Sequence, residues 1–178
     1  MEQALADILA DILPRTAVPY HVMLARICGA LLCVTVIGIE REARGRPAGL
    51  RTHLLVGLAA AVFGLLAGEV VRAPIYDIDQ VRSDPLRVVE AVTAGVAFLA
   101  AGLIVFARGE VHGLTTGAGV WLAAAIGLSV GFGFWIIAIF ATLVGTIVLH
   151  LLYQVERHLG WKRPATPARH EGTGPAQP

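Results

Sequence analysis

Residues 114–152 read LTTGAGVWLAAAIGLSVGFGFWIIAIFATLVGTIVLHLL, a stretch that contains no Asp, Glu, Lys or Arg. It is too long to be a single membrane-spanning helix, which needs about 20 predominantly apolar residues. Gly131 and Gly133 interrupt it near the middle. The stretch therefore predicts two consecutive spans, a short one at 116–130 and a second at 132–153.

The composition of the whole chain extends this interpretation. Its 178 residues are 56% hydrophobic and 15% charged, with a mean hydropathy of +0.71. A soluble domain carries about 25% charged residues, so the polar coat that a soluble core requires is missing. The net charge of +1 gives no sign of the clustered basic surface that binds nucleic acid. Cys28 and Cys33 match no metal-ligand spacing, and we expect no metal and no other cofactor.

Three further apolar segments precede this stretch, at 20–39, 54–71 and 85–106. Asp84 is a suitable N-cap for the third segment, and Pro85 suits the first helical position. The sequence thus predicts an all-α membrane protein, a bundle of about five transmembrane helices.

The two ends of the chain differ from this bundle. Leu and Ile residues within 1–13 share one helical face, which predicts a short amphipathic helix at the membrane surface. We expect this helix to belong to an N-terminal segment 1–19 that is not cleaved. The transmembrane domain then covers 20–153, and the Pro- and Gly-rich segment 154–178 is predicted to be a disordered cytoplasmic tail.

Basic residues in the loops predict the orientation of the chain, because cytoplasmic loops carry an excess of Lys and Arg. The loop after the first span and the C-terminal tail carry more of these residues than the loops on the other side. We therefore expect the N-terminus outside and the C-terminus in the cytoplasm.

Small residues repeat at four-residue spacing within several spans. Such residues let helix backbones approach closely in lipid, where association depends on van der Waals fit. The pattern fits packing within one bundle and also packing between copies in a homo-oligomer. The predicted helix-packing residues are Ala60, Gly64, Gly68, Gly95, Gly102, Gly119, Ala123 and Gly127.

Charged residues crowd the junction between the first two spans. Glu40 directly follows an apolar run, and Arg51 lies at the far end of a short loop. One interpretation is a solvated loop that obeys the charge rule. The other pairs Glu40 with Arg51 near the membrane surface, where ionisable groups are costly and often functional.

Polar groups also lie at the starts of two later spans. Arg87 and Glu90 are three residues apart, so they form either a local ion pair or part of an outer vestibule. Thr115 and Thr116 are suited to cap the fourth span. Ser129 lies in a G-x-S-x-G match, but it sits in an apolar span without the strand–turn–helix context of a nucleophile. We expect no enzymatic activity.

Several of these motifs resemble the MgtC/SapB family. The first is GIEREARGRPAGLRTH at 38–53, the second is DPLR at 84–87, and the third is GLTT at 113–116, followed by Trp121 and AAIG at 124–127. The resemblance covers about residues 20–152 in family order and spacing.

The chain also departs from the family pattern. Ala97 and Ala100 stand where the family usually has glycine, and Ala91 and Ala94 stand where many members have Gln and Ser. The chain resembles the short, SapB-like form, without the soluble C-terminal domain of typical MgtC proteins.

The resemblance implies a bacterial inner-membrane protein from a virulence-associated family that is linked to growth at low magnesium. Better-studied members look like regulators of other membrane proteins, including the ATP synthase. A regulator of this kind, packed against its partner through a small-residue helix face, is the first hypothesis. The second is a small transporter or channel for an ion such as Mg²⁺ or a small solute. The functional residues carried over by the resemblance are Arg26, Glu40, Arg41, Glu42, Arg51, Thr52, His53, Asp84, Arg87, Thr115 and Thr116.

Overall fold

A computed structural model describes residues 1–12, 14, 16–72, 84–107 and 110–158 of the chain. Within these ranges the helices are α1 (Glu2–Ile12), α2 (Tyr20–Ala43), α3 (Leu50–Arg72), α4 (Pro85–Leu103), α5 (Leu114–Phe132) and α6 (Trp135–His158), and the strands are β1 (Val105–Ala107) and β2 (Glu110–His112). In the described part, five helices, α2 to α6, are long and apolar enough to cross a membrane. The predicted five-span helical bundle is confirmed, and the protein is a multi-pass membrane protein.

Several helix boundaries differ from the predicted spans, and two of these differences have a clear local cause. The third span ends at Leu103 rather than near 106, because β1 continues the chain in an extended conformation and pairs antiparallel with β2. The fifth span begins at Trp135 rather than 132. Gly133 ends α5 in a left-handed conformation, with φ 93°, and its N–H donates to the carbonyl of Val130. This conformation suits glycine, which has no Cβ to obstruct it.

Helix α5 is the centre of the bundle, since α2, α3 and α4 all pack against it. Its closest contact is with α3. A Cβ at Gly127 would overlap the backbone of Gly57, and a Cβ at Gly131 would overlap the carbonyl of Ala61. We call these four residues the α3–α5 seam. Small residues make this backbone-to-backbone approach possible.

The predicted packing residues fall into two groups. Ala60, Ala123 and Gly127 are buried, and Gly64 would place a Cβ 3.0 Å from the carbonyl oxygen of Leu128. Gly119 is also buried and faces His53. By contrast, no atom of the described residues lies within 4 Å of the position that a Cβ would take at Gly68, Gly95 or Gly102. The structure does not bring these three glycines to a helix contact.

The ends of the chain are simpler. Helix α1 forms as predicted and all its residues are exposed, while its position at the membrane surface stays a prediction. The chain divides into a unit Met1–Thr146, which contains the packing above, and a second unit that begins at Ile147. In the second unit His150 and Gln154 hydrogen-bond one helical turn apart. Helix α6 continues to His158, so residues 154–158 are helical and not part of a disordered tail as predicted. The rest of the predicted tail, 159–178, lies outside the described residues.

Candidate functional site

Charged and polar side chains are concentrated where α2 ends and α3 begins. We call Glu40, Arg41, Glu42, Gly49 and His53 the α2–α3 joint. Arg41 is 1% exposed and His53 is fully buried, although burying such groups is costly unless they are paired. The two helices approach closely here, because Gly38 leaves room for Leu50 and for the Cβ of His53.

Glu40 is the acidic centre of the joint. Its carboxylate accepts hydrogen bonds from Arg41 Nε at 2.5 Å and Arg41 Nη2 at 3.2 Å, and it forms an ion pair with Arg44 at 2.5 Å. The expected pair between Glu40 and Arg51 is not formed among the described residues, where Arg41 and Arg44 are the ion-pair partners of Glu40 and Arg51 is exposed. Arg41 is adjacent to Glu40, and Arg44 lies one helical turn away, so both reach the carboxylate without crossing the loop.

Glu42 and Gly49 hold the start of α3. The carboxylate of Glu42 accepts a hydrogen bond from the N–H of Leu50 at 2.9 Å, which satisfies one of the free donors at a helix N-terminus. A Cβ at Gly49 would overlap this carboxylate. The carbonyl of Gly49 in turn accepts from His53 Nδ1 at 2.8 Å. Much of the family-like motif therefore builds a tight connection between two spans.

Two nitrogens of the joint remain without a hydrogen-bond partner. Arg41 Nη1 and His53 Nε2 are buried and unpaired among the described residues. A Cβ at Gly119 of α5 would lie 3.3 Å from His53 Nε2 and 4.0 Å from Arg41 Cδ. Because His53 Nδ1 donates to Gly49, a neutral ring offers Nε2 as an acceptor. The joint thus contains one unpaired donor, Arg41 Nη1, and one unpaired acceptor, His53 Nε2.

A second cluster of polar residues lies at the start of α4. It is at the opposite end of the bundle from the α2–α3 joint, because α3 begins at the joint and crosses the bundle before the chain reaches α4. Asp84 accepts from the N–H of Leu86 at 2.9 Å, which confirms the predicted N-cap. Asp84, Arg87 and Glu90 line an open cleft with Ala91 and Ala94. The described residues form no ion pair between Arg87 and Glu90, so the local-pair interpretation is wrong.

Arg26 closes the end of α5. Its Nη1 donates to the carbonyl of Gly131 at 2.9 Å, and its guanidinium lies against Gly133. Cations stabilise helix C-termini, where carbonyl groups are left without partners. Arg26 Nε is buried without a partner among the described atoms. The geometry gives this residue a capping role within the bundle.

The threonines do not act as predicted. Helix α5 starts after Gly113, which has φ 89°, and no side chain caps it. The predicted threonine cap is therefore wrong, because the left-handed Gly113 turns the chain from β2 into the helix. Thr115 is exposed, Thr116 is buried at 3% exposure, and Thr52 is half-buried.

One residue with a clear role did not emerge from the sequence. Both carboxylate oxygens of Glu69 accept backbone hydrogen bonds, from Ala17 and Val18, each at 2.8 Å. This contact ties the connection between α1 and α2 to the end of α3. Two features of the sequence could have indicated this contact. Glu69 is a carboxylate near the end of an apolar span, and Pro14 and Pro19 keep the segment between α1 and α2 from forming a helix, which leaves backbone N–H groups free to donate.

Comparisons with known proteins agree on one family. The model of the MgtC family matches residues 27–158. "Putative magnesium transporter YhiD" of Escherichia coli strain K12 is 37% identical over 134 residues, which are 75% of this chain and 59% of YhiD. Protein SrpB of Synechococcus elongatus is 34% identical over 146 residues, 78% of each chain.

A third relative shares a shorter region. Protein MgtC of Brucella abortus is 40% identical over 104 residues, 58% of this chain and 40% of the relative. The match thus spans about 59% of the length of YhiD and less of this MgtC protein. No solved structure matches the chain.

Proposed function

This chain belongs to the MgtC family, and we propose on that basis that it serves ion homeostasis at low magnesium by binding and modulating another membrane protein. The magnesium connection comes from the name of YhiD and from the resemblance. The binding role rests on one observation in the structure, an unoccupied face of small residues on α4.

This face consists of Ala94, Ala97 and Ala101, which lie on one side of α4 at helical spacing and are all exposed. The opposite side of α4 packs inward through Val92 and Val96. Small residues at membrane depth suit close approach by another transmembrane helix. The α3–α5 seam uses its small residues within the bundle, whereas those of the α4 face are left for a partner.

We propose the inner membrane of a bacterium as the location, with the N-terminus outside. Arg41 at the end of α2, together with Arg44 and Arg46 in the loop that follows, supports this orientation, because the cytoplasmic ends of spans and their loops are rich in arginine and lysine. The ATP synthase is the partner that the resemblance suggests, and a second copy of this chain is the other candidate.

A transporter is the second candidate function, and the unpaired Arg41 Nη1 and His53 Nε2 favour it. They provide polar groups inside the bundle, where a permeating ion or solute needs them. Against it, the backbones of the α3–α5 seam are in contact and leave no polar route between those two helices.

The test is photo-crosslinking in native membranes from a reactive residue placed at Phe98, beside the α4 face. Ala97→Leu should lower partner capture about tenfold, because overpacking a close helix contact costs about 1–3 kcal/mol. The control is Ala25→Leu, which enlarges an exposed alanine of α2. Growth at low magnesium should fall with the first variant alone.

Two results would reject the proposal. The first is equal capture by both variants. The second is Mg²⁺ flux into liposomes that contain the purified chain, if Arg41→Gln abolishes this flux and Ala97→Leu leaves it unchanged. That result would establish the transporter function instead.

A further inference from the structure

An apolar groove of about 670 Å³ separates parts of α3 and α4. Leu55 and Phe63 line it on α3, and Gly95 and Leu99 line it on α4. Arg87 supplies the charged group of the lining and stands at one end. No atom lies within 4 Å of the position that a Cβ of Gly95 would take, so the groove is open along its α4 wall.

The dimensions of the groove match one leaflet of a bilayer. Arg87 and Leu99 are separated by twelve helical residues, which at 1.5 Å per residue span about 18 Å. Half of the hydrocarbon core of a bilayer is about 15 Å thick. Arg87 lies in the first turn of α4, just after Asp84 and Pro85. The apolar part of the groove therefore runs from the headgroup region towards the middle of the membrane.

The two walls of the groove belong to helices that touch each other. Helices α3 and α4 contact each other as well as α5. A helix with its side chains is about 10 Å across and would rest above such a groove rather than fill it. An extended hydrocarbon chain is thinner than a helix and can lie in the hollow between two helices that touch. There its atoms make dispersion contacts with groove walls that would otherwise have no neighbouring atoms.

The mouth of the groove carries charges of both signs. Arg87 and Ala91 line the groove and also the open cleft that contains Asp84 and Glu90. No ion pair joins Arg87 to either carboxylate among the described residues. Among the described residues of this mouth, an anionic headgroup would meet two carboxylates against one guanidinium. A zwitterionic headgroup offers phosphate to the arginine and an ammonium to a carboxylate.

We propose that this groove binds phosphatidylethanolamine. One acyl chain lies between α3 and α4, the phosphate binds Arg87, and the ammonium binds Glu90. The acyl-chain part of this site faces α3 and does not include Ala97 or Ala101, whereas the headgroup cleft includes Ala94. It goes beyond the proposed regulatory function and does not depend on it.

The experiment measures lipid binding to the full, delipidated chain by native mass spectrometry. The two probes are phosphatidylethanolamine and phosphatidylglycerol with the same acyl chains. We expect clear preference for the former. Arg87→Gln should weaken its binding about tenfold, as expected for loss of a charge-assisted hydrogen bond. Glu90→Gln should remove the preference, because the ammonium loses its carboxylate.

A pair of glycine variants tests the groove itself. Gly95→Leu should abolish binding of both lipids by filling the groove. Gly68→Leu is the matched control, since this glycine is equally open but does not line the groove, and it should bind like the unmodified chain. Ala91→Leu, at an exposed position in the lining, replaces Gly95→Leu if that variant does not fold.

Three outcomes would overturn the proposal. One is equal binding of the two lipids by the unmodified chain. Another is lipid binding that survives both groove-filling variants. The third is a dimer that both variants dissociate, because it would assign the groove to a second copy of the chain. Loss of partner capture by Ala97→Leu would leave all of these results unchanged.

Discussion

The α3–α5 seam and helix α4 use the same small residues in opposite ways. In the seam, Gly127 and Gly131 lie so close to α3 that neither has space for a Cβ. On α4, Gly95 and Gly102 have no neighbour within 4 Å of that position. The difference lies in the surroundings and not in the residue type or the spacing. Small residues permit close approach, and the neighbouring helix decides whether it happens.

The largest effect is expected from Gly127→Ala. Its Cβ would overlap the backbone of Gly57, and backbone atoms cannot rotate away, so α3 and α5 must separate. We expect a loss of about 3 kcal/mol in the free energy of unfolding, the upper range for overpacking. Gly95→Ala is the control and should change it by less than about 0.5 kcal/mol. Reversible unfolding in mixed micelles measures both, and similar losses would show that the seam is no tighter than α4.

A smaller effect is expected where a packed glycine also has a positive φ. Gly133→Ala would strain a backbone at φ 93° and displace the guanidinium of Arg26. We expect these two effects to lower the free energy of unfolding by about 2 kcal/mol. Gly45→Ala, at φ 60° with nothing within 4 Å, should cost about 1 kcal/mol from the backbone alone. Unfolding of both variants in the Arg26→Ala background provides the check. If displacement of Arg26 contributes to the loss caused by Gly133→Ala, the two glycine substitutions should lower the free energy of unfolding by more similar amounts when Arg26 is already alanine.

The smallest effect is expected where the obstructing atom can move. Gly49→Ala pushes aside the flexible carboxylate of Glu42, so Leu50 loses its acceptor and stability falls by about 1 kcal/mol. Glu42→Ala should cost a similar amount. Because both changes remove the same hydrogen bond, the double variant should cost less than their sum. Additive losses in a double-mutant cycle would mean that Gly49 acts in another way.

The spans could be predicted from the sequence because lipid imposes a strong condition on composition and length. The division of 114–152 at Gly133 and the cap at Asp84 were also accessible, since both depend on neighbouring residues. The ribbon of β1 and β2 was not, because three-residue strands leave almost no periodic pattern.

The polar contacts were harder to predict than the helices. The sequence suggested Arg51 as the partner of Glu40, whereas the structure pairs Glu40 with Arg41 and Arg44. Only the placement of the side chains around the helix axes decides between these arginines. The contact of Glu69 with Ala17 and Val18 joins residues about fifty positions apart. The small-residue pattern likewise identified Gly64 without showing that it packs against Gly131.

The central position of α5 has a consequence for how the protein is made. It is the fourth span to be synthesised, yet the three spans before it all pack on its surface. Helices α2 and α3 can pair with each other as soon as both are in the bilayer, but the surfaces that they and α4 turn towards α5 stay uncovered until that helix is inserted. During that interval Gly64, whose neighbours are Leu128 and Gly131 of α5, faces lipid. A chain that stops before residue 114 would therefore keep this surface exposed and open to the proteases that clear incompletely assembled membrane proteins.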